Sequence, residues 1–378
     1  MKVSVIDLGF NSVKLVNYHV NEDNSYEAYE QKRMNVRLGE GLDFTGHLND
    51  KSIQRTINSL KFFRDIINFQ SIKDVLPIAT SVVREASNQK DFLKEVYEET
   101  GFRFRVLSGK EEALYSYLGA LKSVCIPTIL FFDLGGGSLE MVYAENFKIK
   151  KFISLPIGAL RLSLSHGRMD DIFDKERYEK MRQYILESLP DKKELEISPK
   201  AKLLGVGGTL RAIARYHYYY NYYYDQELGS CELDSKIRNC RLDYESIAMI
   251  HKKLYKTKPK DIAKISAIGK NRANTITAGS CVIDMLMMKL RFGKVIVSAS
   301  GLRDGILSSF LECPNLNSIG INNKNNKKLD SNQIQYPLNL FVDIPKKLKK
   351  SSNDLYNIMY RLHTCQSRSN NTYIHAII

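Results

Sequence analysis

The chain has 378 residues, of which 43% are hydrophobic and 26% are charged. This length predicts two domains and a remainder, and the composition excludes wholesale disorder. No apolar run approaches the roughly 18 residues of a membrane span, and Asp7 and Gly9 interrupt the N-terminal apolar stretch. We therefore expect a soluble, cytoplasmic protein with no signal peptide and no membrane partner.

The formal charge is +14, and it is unevenly spread. Residues 313–378 hold nine Lys and Arg against three Asp, a net of +6, which leaves +8 for residues 1–312. A basic excess suits nucleic acid, an anionic membrane or a phosphorylated small molecule, and charge alone does not choose among them. The six cysteines are scattered and the seven histidines are unclustered, so we expect neither a disulfide framework nor a zinc site.

Apolar patterning predicts two blocks of alternating strands and helices. In the first block we expect strands at 3–8, 13–20, 26–32, 75–79 and 104–107, and helices at 50–68, 88–100 and 110–122. In the second we expect strands at 128–132, 139–144, 148–155, 202–206 and 294–298, and helices at 172–188, 209–220, 243–254 and 272–290.

Both blocks open with the motif D-L-G-x-x-S, at residues 7–12 and 133–138, between an apolar strand and an alternating one. Two such matches in the same setting indicate an internal duplication. We expect domains at 1–122 and 123–312, with the two turns facing each other across a cleft. An Asn-rich linker is expected at 313–335, and the basic tail at 336–378 has no assigned fold.

Glycine turns after strands let backbone N–H groups approach a phosphate closely. Either turn alone reads as a plain hairpin, but together they favour a grip on a phosphate chain. The residues concerned are Gly9, Asn11, Ser12, Gly135, Gly136, Gly137 and Ser138.

A third glycine turn, G-V-G-G-T at 205–209, follows a predicted strand. Gly207, Gly208 and Thr209 are candidates for an anion site, with Thr209 capping the next helix. A simple strand–helix turn is an equally good interpretation, and the chain has no P-loop motif.

Two adjacent carboxylates have separable roles. Ser108 and Glu111 fit the capping-box pattern, which makes Glu111 structural. Glu112 has no such duty, and the helix dipole at this first turn favours its ionised form. We therefore expect Glu112 to be the general base, with a solvated surface residue as the alternative.

Asp133 and Glu140 flank the second turn and suit a Mg²⁺ ion that keeps several waters. Candidate cations for phosphate oxygens are Lys14, Arg84, Arg211 and Arg303, although each alone is typical of a surface charge. Seven tyrosines at 216–224 read as a helix end running into a loop, with no assignable function.

Taken together, these motifs resemble the exopolyphosphatase/guanosine pentaphosphate phosphohydrolase family of the actin, hexokinase and heat-shock-chaperone ATPase superfamily. The matching stretches follow family order over residues 1–312: VIDLGFNSVKLV (5–16), ATSVVREA (79–86), LSGKEEALYSYLGA (107–120), DLGGGSLEM (133–141), GVGGTLRAIA (205–214) and SASGLRDGIL (298–307).

The resemblance implies an α/β fold of two ribonuclease-H-like domains with a cleft between them. It places catalysis on Glu112, metal or water on Asp133 and Glu140, and phosphate binding on the first two glycine turns and Arg84. It also implies Mg²⁺, often with K⁺, as cofactor, and a homodimer. The implied reaction is release of terminal phosphate from inorganic polyphosphate or, as the alternative, from guanosine pentaphosphate.

The chain departs from the family at two places. Phe10 stands where relatives usually have a small residue, which would narrow the first turn, and residues 313–378 match no family domain. Two rival functions remain: a sugar kinase of the same superfamily, and a non-catalytic polyphosphate or nucleotide-binding regulator. Nucleic acid is not the expected partner.

Overall fold

The structure is a computed structural model that describes residues 1–167, 174–222 and 237–312. The expected linker and basic tail lie outside these residues, as do the last two tyrosines of the 216–224 run. No helix in the described ranges has the length and apolar character needed to cross a bilayer.

The first half alternates strands and helices around one sheet. Its strands are β1 (Lys2–Leu8), β2 (Val13–Val20), β3 (Tyr26–Met34), β4 (Asp74–Ala79) and β5 (Arg105–Val106). Its helices are α1 (Leu42–Thr45), α2 (Asp50–Phe69), α3 (Ser81–Arg84), α4 (Gln89–Thr100) and α5 (Gly109–Leu121).

The second half is built around a second sheet. Its strands are β6 (Ile129–Leu134), β7 (Leu139–Glu145), β8 (Lys148–Leu155), β9 (Lys202–Gly207), β10 (Arg241–Asp243) and β11 (Lys294–Val297). Its helices are α6 (Ala159–His166), α7 (Lys175–Ser188), α8 (Gly208–Tyr222), α9 (Tyr244–Tyr255), α10 (Pro259–Ile262), α11 (Ile276–Leu290) and α12 (Leu302–Glu312), with a 3₁₀ turn at Lys270–Arg272.

The two sheets repeat one topology. The first has the order β3-β2-β1-β4-β5, and the second has β8-β7-β6-β9-β11 with β10 added at its edge. In each, three strands form an antiparallel meander whose first member pairs in parallel with the next two strands in turn. This repetition agrees with the duplication that the repeated turn motif predicts.

Helix α5 lies between the two sheets. Tyr115 packs into the apolar cluster on the first sheet, whereas Ala113 and Tyr117 pack on the second. Because α5 is covered on all sides, its sequence is apolar all round rather than amphipathic. This position carries the first turn of α5 to the place where the two sheets meet.

Helix α12, from the second half of the chain, packs against α5 and β1 of the first half. Its Ile306 and Leu307 share a cluster with Val3 and Val5. The chain therefore crosses back at its described end, and the domain boundaries at 122 and 312 stay a prediction.

Most expected elements are present with ends shifted by one to four residues. The helix expected at 272–290 begins at Ile276, because residues 270–272 form a 3₁₀ turn. The one expected at 172–188 begins at Lys175, behind the Asp174 cap. Sequence patterning missed α1, α3, α6, α10, α12 and β10. Three of these helices have four residues, too short to show a period or to be stable without tertiary contacts.

Candidate active site

A cavity of about 160 Å³ lies where the two halves meet. It is lined by all three glycine turns, by Glu112, Asp133 and Glu140, and by several cations. Apart from Arg84, every site residue expected from the sequence lines this one cavity: Gly9, Asn11, Ser12, Lys14, Glu112, Asp133, Gly135, Gly136, Gly137, Ser138, Glu140, Gly207, Gly208, Thr209, Arg211 and Arg303.

The two D-L-G-x-x-S turns have the same geometry. In the first, the Gly9 N–H donates to the Ser12 carbonyl at 3.1 Å, and in the second the Gly135 N–H donates to the Ser138 carbonyl at 3.0 Å. The turns also touch, because a Cβ atom added at Gly136 would lie 3.3 Å from the Asn11 Cβ. The sequence predicted that these turns face each other, and the structure places them in contact.

The carbonyl groups of the first turn are held from outside the cavity. The Phe10 carbonyl accepts from the Gly39 N–H at 3.1 Å, and the Asn11 carbonyl accepts from the Arg37 N–H at 3.0 Å. In a trans peptide the next N–H points the opposite way. The N–H groups of Asn11 and Ser12 are therefore directed away from these donors, toward the cavity that both residues line.

The second turn is held in the same way by the start of α6. The Gly135 carbonyl accepts from Ala159 at 3.1 Å, and the Gly136 carbonyl accepts from Leu160 at 2.9 Å and Arg161 at 3.0 Å. The same peptide geometry directs the N–H groups of Gly136 and Gly137 toward the cavity. Two sets of backbone donors thus converge on one space, an arrangement suited to an anion.

The duplicated hairpins differ in the charge at one equivalent position. Lys14 lies opposite Asp7 in the first hairpin, and Glu140 lies opposite Asp133 in the second. Lys14 pairs with Asp7 at 2.9 Å. Burial opposes ionisation of Asp7, but Lys14 and Arg303 outweigh it and hold the pKa of this carboxyl below its ordinary value. The first hairpin is therefore internally neutralised.

In the second hairpin two carboxylates face each other instead. Burial raises the pKa of Asp133, and a hydrogen bond from Ser116 at 2.5 Å offsets this only in part. Burial and repulsion from Glu112 raise the pKa of Glu140 well above its ordinary value. We call Glu112, Asp133 and Glu140 the acidic group.

The structure separates the roles of Glu111 and Glu112. Glu111 forms the capping box with Ser108 and also pairs with Arg105, which confirms its structural assignment. Glu112 is only 8% exposed and lines the cavity, so the alternative of a solvated surface residue is wrong.

The expected charge state of Glu112 needs correction. Burial raises the pKa of this carboxyl to about 7, although the Arg84 guanidinium at 3.1 Å opposes the shift. Loss of hydration outweighs the helix dipole, because the dipole effect is worth only about 0.3–1 kcal/mol in exposed settings. Without a bound cation, Glu112 is therefore about half protonated near neutral pH, rather than ionised as expected.

Arg84 does not line the cavity. Its guanidinium donates to the Leu107 carbonyl at 2.7 Å and to Glu112 at 3.1 Å. In this structure Arg84 thus contacts the expected base, and its direct contact with phosphate stays a prediction.

Four arginines gather on the other side of the acidic group and line the cavity: Arg33, Arg211, Arg272 and Arg303. Burial and mutual repulsion lower the pKa of Arg211 to about 10 and that of Arg272 to about 9. Among the described residues, the buried Nε of Arg33 has no hydrogen-bond partner. We call these four residues the arginine group, and such crowding of cations indicates a site for a polyanion.

Sequence reasoning missed Arg33 and Arg272. Arg33 reaches the site because its strand pairs it directly with Lys14, and Arg272 because it lies against Gly208 at the start of α8. The strand register was the one available signal for Arg33, since a three-stranded meander was expected there.

The third glycine turn also reaches the cavity, but Thr209 does not precede the helix as expected. Helix α8 begins at Gly208, so Thr209 lies within its first turn. Gly207 has a φ of +115°, a conformation open to glycine and strained for other residues. This geometry ends β9 sharply and brings the start of α8 to the cavity wall.

Asp133 and Glu140 fit a hard divalent cation, because both are buried carboxylates whose raised pKa values reflect uncompensated negative charge. Within the described ranges, no group of three or more His, Cys, Asp or Glu side chains is placed to hold a metal. A site with two protein carboxylates suits Mg²⁺, which usually keeps several waters.

Comparison with known proteins decides the family. The model of the Ppx/GppA phosphatase family matches residues 20–313, well over half of the chain. The chain belongs to this family. The expected family is therefore confirmed, as is the expectation that the chain is an enzyme of a phosphatase class.

Individual relatives agree with this assignment. The chain is 25% identical over 312 residues to exopolyphosphatase 1 of Mycobacterium leprae, covering 81% of this chain and 88% of the relative. It is 29% identical over 323 residues to a bifunctional 3-dehydroquinate synthase/phosphatase of Fusobacterium nucleatum. That match covers 81% of this chain but 46% of the relative, so the chain spans about half the length of that protein.

A solved structure supports the fold. The Ppx/GppA family member of Aquifex aeolicus matches with a TM-score of 0.65 and 26% identity, covering 82% of this chain and 98% of that one. The expected fold class, α/β with two actin-like halves and a cleft between them, is therefore confirmed.

Proposed function

We propose that the protein is an exopolyphosphatase, which releases terminal orthophosphate from inorganic polyphosphate. The observation that carries the proposal is the segregation of charge in one cavity, with the acidic group beside Ser138 and the arginine group beside Gly208. A chain of phosphates needs many cations along its length and a base at its end. The names of the exopolyphosphatase relatives support the same reaction.

The proposed reaction is in-line attack of water on the terminal phosphoryl group. Glu112 orients the water and accepts its proton, which requires the ionised carboxylate. The N–H groups of the two glycine turns and the arginine group stabilise the charge that develops on the phosphoryl oxygens. Asp133 and Glu140 would hold Mg²⁺, whose chemistry when bound is to neutralise phosphate charge. K⁺ and a cytoplasmic location remain expectations from the sequence.

Guanosine pentaphosphate is the alternative substrate, with the same attack on its terminal 5′-phosphate. The arginine group favours the longer anion, because four cations are more than one terminal diphosphate needs. A regulator without turnover is disfavoured by the intact acidic group, and a sugar kinase by the position of the carboxylate on the α5 helix.

The test is phosphate release from long-chain polyphosphate, guanosine pentaphosphate, and ATP with a sugar panel, run side by side with Mg²⁺. We expect the highest kcat/KM for polyphosphate. Higher turnover of guanosine pentaphosphate would establish the alternative, phosphorylated sugar would establish a kinase, and binding without turnover would establish a regulator.

The base assignment is tested in the same assay with two neighbouring variants. Glu112→Gln should lower kcat by about 100-fold or more while polyphosphate still binds. Glu111→Gln is the matched control, because glutamine also satisfies the capping box and Glu111 lies outside the cavity lining. Equal activity of the two variants would contradict the role of Glu112.

A further inference from the structure

Helix α6 of the second half is tied to the first half by one side chain. The Arg161 guanidinium lies with its Nε 3.2 Å from the Asp43 carboxylate, and its Nη2 donates to Glu85. Asp43 is on α1 and Glu85 follows α3, so both acceptors belong to the other half. The Arg161 side chain is only 8% exposed, which limits solvent screening of these pairs.

The same guanidinium stacks on an aromatic ring. Arg161 lies 5.0 Å from the centroid of the Phe10 ring, within the range of a cation–π contact. The ring is 2% exposed and fills the space beside Gly39 and Gly137, so that a Cβ atom at either glycine would overlap it. Phe10, which departs from the usual small residue, therefore packs between the two turns as a wedge rather than only narrowing the first.

This cluster connects to both parts of the site. Helix α6 carries Arg161 and also holds the second turn through the N–H groups that bind the Gly135 and Gly136 carbonyls. Glu85 is adjacent to Arg84, which pairs with Glu112. The placement of the phosphate turn and that of the base thus depend on the same contacts.

We propose that Arg161 is a positioning residue, which acts through Glu85 and Phe10 to keep the second phosphate turn aligned with Glu112. We call these residues, with Asp43, the interlobe clasp. The proposal rests on the proposed function, because its main readout is phosphate release. Arg161 does not line the cavity, so it acts on the substrate only through these contacts.

The test compares Arg161→Met with Arg182→Met. Loss of the clasp should lower kcat at least about tenfold, since small misplacements of reacting groups have effects of this size or larger. KM should change less than about threefold, because the arginine group still holds the anion. Arg182 is the matched control: it also stacks on an aromatic ring, 5.8 Å from Tyr178, and pairs with Glu179, but lies outside the cavity lining.

A double-mutant cycle separates positioning from general stability. If Arg161 acts through Glu85, Arg161→Met and Glu85→Gln should each lower kcat, and the double variant should be no worse than Arg161→Met alone. Arg161→Met with the wild-type kcat, or losses that multiply in the double variant, would overturn the proposal. Should Arg161→Met fail to fold, Phe10→Leu and Glu85→Gln decide it, with wild-type kcat in both as the refuting result.

Hydrogen exchange gives a readout that does not need activity. The amides of Leu160 and Arg161, which bind the Gly136 carbonyl, should exchange faster in Arg161→Met than in wild type, without a matching change in α11. Unchanged exchange at these amides would refute the clasp. A wild-type protein inactive on every phosphate substrate would refute the proposed function instead, and the exchange result would still decide the clasp.

Discussion

At the scale of single residues, the site depends on how burial changes the charge of its carboxylates. Sequence equivalence gives Asp7 and Asp133 the same place in duplicated turns, yet their pKa values shift in opposite directions. The difference lies in the partner across the hairpin, which is Lys14 in one case and Glu140 in the other. One substituted position therefore converts a neutral hairpin into a site for a cation.

The raised pKa of Glu112 makes stability depend on pH. Its pKa is about 7 in the folded protein against an ordinary value of 4.5, so its contribution is present at low pH and is lost as pH rises through 7. Without divalent cations, wild type should lose up to about 3 kcal/mol of unfolding free energy relative to Glu112→Gln between pH 5 and pH 8. Urea denaturation of both proteins in EDTA measures this, and parallel pH profiles would contradict it.

The acidic group also predicts the metal requirement. Glu140→Gln removes one of two expected oxygen ligands, so the Mg²⁺ concentration for half-maximal activity should rise by about tenfold or more. Ser154→Ala removes only the hydrogen bond to Glu140 at 3.1 Å and should shift it in the same direction by less. Titration of activity with Mg²⁺ after chelation measures both. No shift in Glu140→Gln would exclude Glu140 from the metal site.

At the scale of elements, α5 and α12 fix where Glu112 lies. The two helices approach until their backbones touch, because Gly119 on α5 meets the carbonyl of Gly301 and Gly305 on α12 meets that of Tyr115. A side chain at either glycine would separate the helices. Since α5 is also packed on the second sheet, any shift there moves Glu112 relative to the turns.

Gly119→Ala should therefore destabilise the fold by about 1–3 kcal/mol, as overpacking does, despite the better helix propensity of alanine. It should also lower kcat by displacing α5. Gly293→Ala is the matched control, because a Cβ atom there meets nothing within 4 Å, and it should leave stability and activity near wild type. Thermal unfolding and phosphate release measure both effects. Equal stability of the two variants would show that the helices have room to adjust.

At the scale of the whole molecule, electrostatic attraction should bring the substrate to the cleft. Residues 1–312 carry a net +8, and the arginine group concentrates part of this charge in one cavity. A polyanion should therefore associate faster and bind more tightly at low ionic strength.

KM for polyphosphate should rise with salt, and Arg272→Met should raise it by about tenfold at low salt while weakening its salt dependence. kcat should change less, because the acidic group and the turns are unaltered. Lys264→Met is the control, since that side chain is 77% exposed and lies outside the cavity. Steady-state kinetics at several salt concentrations measure this, and an equal effect of both variants would indicate a general charge effect rather than a site.

Much of the fold was predictable because its signals are local. Alternating strands, the amphipathic α2 and the capping box at Ser108 each depend on residues within one or two turns of chain. The elements that were missed, such as α1, α3 and β10, are short and are held by distant contacts. Glu112 was found because its neighbour Glu111 had a different, recognisable duty.

The sequence by itself determined the duplicated turns, the two α/β halves and the identity of the acidic group, because repeats and hydrophobic periods are written along the chain. Only the tertiary structure decided that Arg33 and Arg272 join the site, that Phe10 and Arg161 meet across the halves, and that burial raises the pKa of Glu112. These features depend on which surfaces come together and exclude water, and no local pattern records that.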